Sequence, residues 1–205
     1  MKIVTYNIHK GMDKDNKYTL NKIAKYFKNI DADIICIQEV LYLQFIYLKN
    51  YLFMEGHFAC NVSNKSIKYG ICTLSKQKII NHTHMFLNSK TEQRGILSIE
   101  IENFNIINTH LGLDKAERKQ QLDEIINYMN QISTEKILCG DFNEKNISIY
   151  DLKDCAIETK KYDEPTFDNT SSRIDYIFID KKISIVDYIV PKLKLSDHYP
   201  IIIKI

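Results

Sequence analysis

The most informative part of the sequence is Leu138-Cys139-Gly140-Asp141-Phe142-Asn143. Leu138 and Cys139 are typical of the end of a short buried strand, and Gly140 interrupts that strand. Asp141 and Asn143 follow two residues apart, and side chains with this spacing at a strand end point the same way. We therefore expect a carboxylate and a neutral amide to enter one cavity, a pair that suits a hard cation and a phosphoryl oxygen.

Composition limits the class of protein. The chain has 205 residues, which is enough for one domain with a large core. Its net charge is +2, so no strong overall field attracts nucleic acid or an anionic membrane, although a local patch would be enough. The five cysteines are scattered, without zinc-ligand spacing. Cys36 and Cys139 lie in apolar runs, which predicts reduced core thiols.

The chain shows no signal that would direct it to a membrane. It does not open with a basic stretch followed by an apolar one, so we expect no signal peptide. No apolar run is long enough to span a bilayer, so we expect no stable membrane insertion. A cytoplasmic monomer is the expectation.

The apolar pattern predicts more strands than helices. Apolar residues at helical spacing predict helices over 19–29, 41–52 and 115–132, with Thr19 as an N-cap. The nearly unbroken apolar run Ile34–Val40 predicts an interior strand that is covered on both faces. Other predicted strands cover 2–8, 58–61, 69–74, 79–86, 96–101, 104–109, 136–139, 174–179, 183–190 and 201–205.

The order of these elements predicts the fold class. Glu102-Asn103 is a tight hairpin signal, residues 144–172 are polar and irregular, and a few helices connect strands from the two halves. This arrangement favours an α/β sandwich with mixed sheets. We find no repeat, linker or composition break, so we expect a single domain over 1–205.

Polar residues recur where the predicted strands begin or end. Glu39 would hold a cation that neutralises phosphoryl charge. Asn7, Asn143 and a protonated His110 would donate hydrogen bonds to phosphoryl oxygens, and His198 would be a base if a carboxylate orients it. Each residue also has a structural explanation when taken alone, such as a turn or a cap. Together these residues suit water attack on a phosphate ester. They are Asn7, Glu39, His110, Asp141, Asn143, Asp175, Asp197 and His198.

The same residues lie in short motifs that follow one another along the whole chain. Taken together and in order, the motifs resemble the endonuclease/exonuclease/phosphatase superfamily, the deoxyribonuclease-I-like fold. The resemblance implies a four-layered α/β sandwich of two mixed β-sheets flanked by helices, with a divalent-metal site at one sheet edge. The motifs are Thr5-Tyr6-Asn7-Ile8, Ile37-Gln38-Glu39-Val40, Asn108-Thr109-His110-Leu111, Gly140-Asp141-Phe142-Asn143, Arg173-Ile174-Asp175-Tyr176 and Ser196-Asp197-His198-Tyr199-Pro200.

The resemblance also implies a metal site. Glu39 would be the principal ligand of Mg²⁺ or Mn²⁺, assisted by Asn7 and Asp197. Asp141 and Asn143 would position the water, the phosphate or a second ion. One ion and two ions both stay open.

Catalytic roles follow from the same resemblance. His110 would contact a phosphoryl oxygen or serve the leaving group. Asp175 would orient His198, which would act as a general base or an electrostatic clamp. Either Asp141 or His198 would take the proton of the water.

Substrate class is the open question. Arg94, His9 and Lys10 are candidate substrate contacts, each with an exposed surface residue as the alternative. The chain has no tryptophan to stack on bases but many tyrosines, and its mild basic excess permits nucleic acid. We expect a phosphodiesterase acting on nucleic acid, most simply DNA, as a nuclease or DNA-end-processing enzyme. The alternatives are a sphingomyelinase-like phospholipid or small-molecule phosphoesterase, and a non-catalytic binding protein on the same fold.

Overall fold

Two six-stranded sheets organise the computed structural model, which describes residues 1–205. The strands are β1 (Lys2–Asn7), β2 (Ile34–Leu41), β3 (Glu55–Ser63), β4 (Lys68–Ser75), β5 (Asn81–Leu87), β6 (Arg94–Ile101), β7 (Phe104–His110), β8 (Glu135–Asp141), β9 (Leu152–Asp154), β10 (Asp175–Asp180), β11 (Asp187–Ile189) and β12 (Ile201–Lys204). The helices are α1 (Leu20–Ile30), α2 (Tyr42–Leu52), α3 (Lys115–Met129) and α4 (Cys155–Glu158). One sheet has the order β11-β12-β1-β2-β4-β3, and the other has the order β5-β6-β7-β8-β10-β9.

Apolar residues on both faces of the central strands produce the layers. Ile3 packs into the core between the two sheets, whereas the next residue, Val4, packs under α1 and α2. In the second sheet Ile106 faces the core between the sheets, and Ile107 faces α3. Alternate residues of a strand point to opposite faces, so a continuous apolar run fills two layers at once. The result is a helix–sheet–sheet–helix arrangement.

Each sheet contains one parallel strand pair joined by a helix. β1 and β2 are parallel and are connected through α1, while β7 and β8 are parallel and are connected through α3. The carboxyl ends of both pairs lie at one edge of the sandwich, which brings polar residues from the two sheets together. β10 runs antiparallel to β8, and its first residue, Asp175, lies opposite Asp141.

The structure confirms the predicted fold class and the hairpin at Glu102-Asn103, where Ile101 pairs with Phe104. Cys36 and Cys139 are buried and form no disulfide, as expected. Thr19 precedes α1, but its hydroxyl donates to the Leu195 carbonyl oxygen instead of capping the helix. None of the helices has both the length and the apolar character needed to cross a membrane.

Several predicted boundaries are wrong, and β3 has nine residues where the sequence predicts a strand over 58–61. The 144–172 segment contains β9 and α4. The sequence does not predict them because three and four residues are too few to give a periodic apolar pattern. α3 ends at Met129, three residues earlier than expected. The predicted strand 183–190 is reduced to β11, because only Asp187–Ile189 pairs with β12.

Not every polar residue at a strand end points into the site. The side-chain amide of Gln38 is fully buried and donates to Thr5 and Asn108. Asn108 in turn donates to the carbonyl oxygens of Ile37 and Cys72, which belong to the other sheet. These amides join the two sheets through the core.

Gly140 is a position where only glycine fits. Its φ is +143°, and a Cβ atom there would overlap the Thr109 carbonyl oxygen of the neighbouring strand. We expect Gly140→Ala to lower the free energy of unfolding by about 2–4 kcal/mol, because the clash involves backbone that cannot move. Urea denaturation in EDTA measures this. Lys145→Ala, at an exposed loop residue that follows the same strand, is the control, and an equal loss in both variants would contradict the prediction.

Candidate active site

A polar cavity of about 290 Å³ opens at the sheet edge where the parallel strand pairs end. Side chains from both sheets and from the loop before β12 form its walls. The cavity brings together most of the residues that the sequence singles out. It also contains aromatic and charged residues that the sequence does not single out. The lining residues are Lys10, Glu39, Tyr69, Glu92, Arg94, His110, Leu113, Asp141, Asn143, Phe167, Asp197 and His198.

Asp141 is the centre of the site. Its carboxylate is almost fully buried and accepts hydrogen bonds from the Asn7 side-chain amide at 2.9 Å and from the Asn143 backbone amide at 2.9 Å. The Nε2 atoms of His110 and His198 lie 3.5 Å and 3.6 Å from its Oδ2 atom. Burial and the neighbouring Asp175 raise the pKa of Asp141 to about 7, although His198 and Asn7 act in the opposite direction.

Asp175 fixes the orientation of His198. The two side chains meet at 2.9 Å between Nδ1 and Oδ2, and both are buried. A carboxylate accepts, so Nδ1 carries the hydrogen and Nε2 faces Asp141. Burial lowers the pKa of His198, but Asp175 and Asp141 outweigh it and raise this pKa to about 10. The Thr166 hydroxyl accepts from the Asp175 backbone amide at 3.1 Å and anchors the start of β10.

Arg94 and His110 form a second buried pair. The Arg94 Nη1 atom lies 3.2 Å from His110 Nδ1 and 2.5 Å from a Glu92 carboxylate oxygen. A guanidinium only donates, so Nδ1 of His110 is unprotonated and Nε2–H faces Asp141. Burial lowers the pKa of His110 well below its usual range, and Arg94 and His198 add to the effect. His110 is thus a neutral donor, not the protonated donor that the sequence suggested.

Glu39 approaches the same point as Asp141. The register between β2 and β4 shifts around Glu39, whose φ is +52°, so the residue lies in a bulge rather than at the strand end. The Asn7 side-chain nitrogen donates to Glu39 Oε1 at 3.2 Å as well as to Asp141. Two carboxylates therefore converge on one amide group, and neither forms an ion pair with a lysine or arginine within 4.0 Å.

This donor set fits a hard divalent cation. Glu39 and Asp197 are half-buried carboxylates beside the cavity, and Asp141 supplies further oxygen atoms. Asn7 faces Glu39 and Asp141 with its nitrogen, so its amide must turn before its oxygen can ligate a cation. Acceptor atoms of Asp141, Asp175 and His198 also lie within 4.8 Å of one another. In that second group Asp175 and His198 are already joined by their hydrogen bond, which leaves Glu39, Asp141, Asn7 and Asp197 as the better cation ligands.

The weaker candidates lie at the rim. His9 Nδ1 is 3.8 Å from Asp197, and the His9 backbone amide donates to Asn7 Oδ1 at 3.0 Å. The Asn143 side chain donates to the Leu111 carbonyl oxygen at 2.9 Å, so it braces the loop around the cavity. Lys10 lines the cavity and lies over the Tyr69 ring.

Several wall residues carry no sequence signal. Tyr69 is buried beside Glu39, and burial together with Glu39 raises its pKa above the usual range. The Phe167 ring lies 4.7 Å from the His198 ring, and Glu92 pairs with Arg94. The polar motifs mark the strand ends, but only the pairing of β4 with β2 and of Phe167 with His198 brings these side chains to the cavity.

A family model described as "Endonuclease/Exonuclease/phosphatase family" matches residues 4–198. The chain belongs to this family. The six motifs from Asn7 to His198 are thus those of an endonuclease/exonuclease/phosphatase family protein, and the resemblance seen in the sequence is confirmed.

Two relatives of this family protein are similar in sequence. The uncharacterized protein YbhP of Escherichia coli K12 is 25% identical over 179 residues, which covers 70% of this chain and 66% of that protein. An exodeoxyribonuclease of Bacillus subtilis is 27% identical over 167 residues, which covers 75% of this chain and 62% of that protein. The chain spans about two thirds of the length of these relatives.

Solved structures share the fold of this family protein. A Bacteroides vulgatus endonuclease/exonuclease/phosphatase covers 98% of this chain and 97% of its own, at 19% identity and a TM-score of 0.84. A mannosyl-6-phosphatase, Bt3783 of Bacteroides thetaiotaomicron, is 18% identical with a TM-score of 0.79, and the match covers 100% of this chain and 98% of that protein. A humanized TDP2 of D. rerio is 16% identical with a TM-score of 0.77, and the match covers 99% of this chain and 97% of that protein. These similarities show the fold.

The raised pKa of Asp141 predicts a pH effect on the metal-free protein. The unfolded carboxyl loses its proton near pH 3.8 and the folded one near pH 7, so the stability it contributes is lost as the pH rises through about 7. Asp141→Asn does not titrate. We expect its Tm relative to wild type to increase by about 2–6 °C between pH 5 and pH 8 in EDTA.

Thermal denaturation at the two pH values measures this difference. Asp15→Asn, at an exposed loop carboxylate, is the control and should track the wild type at both. A relative Tm for Asp141→Asn that is constant, or that falls with pH, would show that the buried carboxylate is not destabilising.

Proposed function

We propose that this chain is a Mg²⁺- or Mn²⁺-dependent phosphodiesterase that hydrolyses nucleic acid, most simply DNA. The observation that carries the proposal is the convergence of His110 and His198 on one oxygen of Asp141, with Asp175 behind His198 and Glu39 beside the same cavity. The site contains no cysteine or serine among these groups, so water is the nucleophile that fits it.

The cation ligands in this proposal are Glu39, Asp141, Asn7 and Asp197. A bound divalent cation supplies Lewis-acid stabilisation of the charge that grows on the phosphoryl oxygens. Asn143 supports the arrangement, because its backbone amide holds Asp141 and its side chain holds the loop at Leu111.

Asp141 and His198 have different roles in the proposed reaction. In hydrolysis the water oxygen forms a bond to phosphorus and the ester P–O bond breaks, while the water proton moves to a base and the leaving oxygen takes a proton from an acid or from solvent. The raised pKa of His198 favours an imidazolium that donates from Nε2, because Asp175 and Asp141 stabilise its charge. Asp141 is then the acceptor for the water proton, and His198 is an electrostatic clamp on the phosphate.

His110 and Arg94 complete the site on the other side. The neutral Nε2–H group of His110 lies 3.5 Å from Asp141, which is too long for a full hydrogen bond, so it can donate to a phosphoryl oxygen or to the leaving oxygen. Arg94 acts through His110, since its guanidinium is buried and is already engaged by Glu92. His9 and Lys10 at the rim are positioned for substrate contacts beyond the phosphate.

Nucleic acid is supported by one relative and by the cavity walls. The similar Bacillus subtilis protein is named an exodeoxyribonuclease, which is an enzyme that acts on DNA. Tyr69 and Phe167 give the cavity aromatic walls that suit a base or sugar. A sugar phosphate is the second candidate, since the cavity of about 290 Å³ suits a small ester and the mannosyl-6-phosphatase Bt3783 also shares the fold.

Glu39→Gln tests the metal-dependent chemistry. It keeps the shape of the side chain but removes the charge, so we expect kcat/KM to fall by at least about 10²-fold with Mg²⁺. EDTA should abolish wild-type turnover, and Mn²⁺ or Mg²⁺ should restore it. The substrates are plasmid DNA, single-stranded DNA, bis-p-nitrophenyl phosphate, mannose 6-phosphate and sphingomyelin.

Glu102→Gln, at the exposed hairpin, is the matched control and should keep wild-type activity. Turnover of mannose 6-phosphate alone would replace nucleic acid with the second candidate, and turnover of sphingomyelin alone would replace it with a phospholipid. Absence of metal-dependent turnover on every substrate, with Glu39→Gln equal to wild type, would refute an enzymatic function and leave a binding protein.

His198→Ala tests the acid–base side of the site. We expect turnover to fall by about 10²–10⁴-fold, as for the loss of an acid–base or charge-stabilising group. Asp175→Asn should have a smaller effect, because it weakens the orientation of His198 but leaves the imidazole in place. Steady-state kinetics with thermal denaturation of each variant measure this. Loss of the folding transition together with activity would assign His198 a structural role instead.

A further inference from the structure

A second groove lies beside the active-site cavity. It has a volume of about 300 Å³ and is formed by the start of α2 and by the β3–β4 turn. Its apolar rim faces solvent: Leu43 is 78% exposed, Ile67 is 48% exposed and Tyr42 is 40% exposed. The lining residues are Leu41, Tyr42, Leu43, Asn64, Lys65, Ser66, Ile67 and Lys68.

The turn that forms one wall is held in a defined shape. The Asn64 side-chain oxygen accepts from the backbone amides of Ser66 at 2.9 Å and Ile67 at 2.8 Å. The Asn64 backbone amide donates to the Ile67 carbonyl oxygen at 2.9 Å. This local capping presents the side chains of Lys65 and Ile67 outward together.

The positive charge of the groove has no partner within the chain. Neither Lys65 nor Lys68 forms an ion pair, and the nearest cavity lysine, Lys10, forms none either. Lys68 lies over the Tyr42 ring at 5.6 Å, and Lys10 lies over the Tyr69 ring at 5.2 Å. Residues 40–75 contain a single acidic residue. Lysines that rest on aromatic rings without carboxylate partners are complementary to an anionic ligand that also carries planar groups.

The groove continues from the active site along one strand pair. Leu41 pairs with Tyr69 in the groove wall, and Glu39 lies two residues before Leu41 on β2. Two residues of regular strand span about 7 Å, and the bulge at Glu39 can only shorten this distance. The groove therefore begins within about two nucleotides of Glu39.

We propose that this groove binds the single-stranded nucleic-acid segment next to the scissile phosphate, with a base against Tyr42 and backbone phosphates on Lys65 and Lys68. The proposal rests on the proposed function, because it extends the substrate of the same site. A duplex is disfavoured, since its bases are stacked inside and cannot reach an apolar wall. An anionic lipid surface would also meet exposed apolar residues and lysines, and it is the alternative outcome of the test.

The charge-removing variant Lys65→Gln/Lys68→Gln is the first test. Affinity for a fluorescein-labelled dT12 is measured by anisotropy in EDTA between 50 and 300 mM NaCl, so that no cleavage occurs. Each phosphate contact on single strands contributes about 0.7 to the slope of log affinity against log salt, so the slope should become shallower by about 1.4. Lys181→Gln/Lys182→Gln, at the turn after β10 in the other sheet, is the matched control and should keep the wild-type slope.

Tyr42→Leu is the second test, because leucine preserves the contact with Phe45 and Phe58 but removes the ring face. We expect its affinity for dT12 to fall by about 5- to 50-fold, in the range of a lost base–aromatic stack. Its affinity for an abasic chain of equal length should stay at the wild-type value. An equal loss on both chains would refute stacking at Tyr42.

Kinetics separate the groove from the catalytic site. Bis-p-nitrophenyl phosphate is too short to reach the groove, so both groove variants should hydrolyse it with wild-type kcat/KM and lose activity only on dT12. Equal losses on both substrates would mean that the variants disturb the active site. If the lysine variant binds dT12 with the wild-type salt slope, the groove proposal is refuted. It is also refuted if that variant loses binding to phosphatidylserine vesicles but still binds dT12 like wild type. If the wild type binds dT12, and the lysine variant has a shallower salt slope, but the wild type cleaves no substrate, only the proposed function is refuted.

Discussion

The site depends on one buried carboxylate. Asp141 is almost fully buried, and a buried charge is costly unless every acceptor position is filled. It accepts hydrogen bonds from Asn7 of the first sheet and from the Asn143 backbone amide, and the Nε2 atoms of two histidines lie within 3.6 Å of it. Because these donors belong to both sheets, the edges of the sandwich must close on Asp141, and its demand for donors fixes their relative position there.

The topology of both sheets brings these donors to one edge. Each sheet contributes a parallel strand pair joined by a helix, and both pairs direct their carboxyl ends to the same edge. Asn7 and Glu39 come from one pair, and His110 and Asp141 come from the other. The helices bury the outer faces while the sheets bury the inner ones, so the strands are rigid where the functional side chains leave them. Placing such groups on strand ends gives more precise positions than loops would.

The sequence predicts the layers and the polar strand ends because both depend on local patterns. Continuous apolar runs specify strands covered on two faces, and six short motifs specify where the strands end. It does not predict the bulge at Glu39, since the register shift arises from pairing with β4. Nor does it predict the state of His110, because the deciding partner, Arg94, is sixteen residues away and meets it only through the β6–β7 pairing.

Eleven non-glycine residues have positive φ, and four of them lie around the cavity. These four are His9, Lys10, Glu39 and Asn143. Non-glycine residues in that region cost energy and persist only where the surroundings determine them. The hydrogen bonds of Asn7 to Glu39 and to the His9 amide, and of Asn143 to Asp141, hold these residues in place. A donor network built around one carboxylate thus fixes both the charges and the strained backbone, and it leaves substrate choice to the less constrained walls beside it.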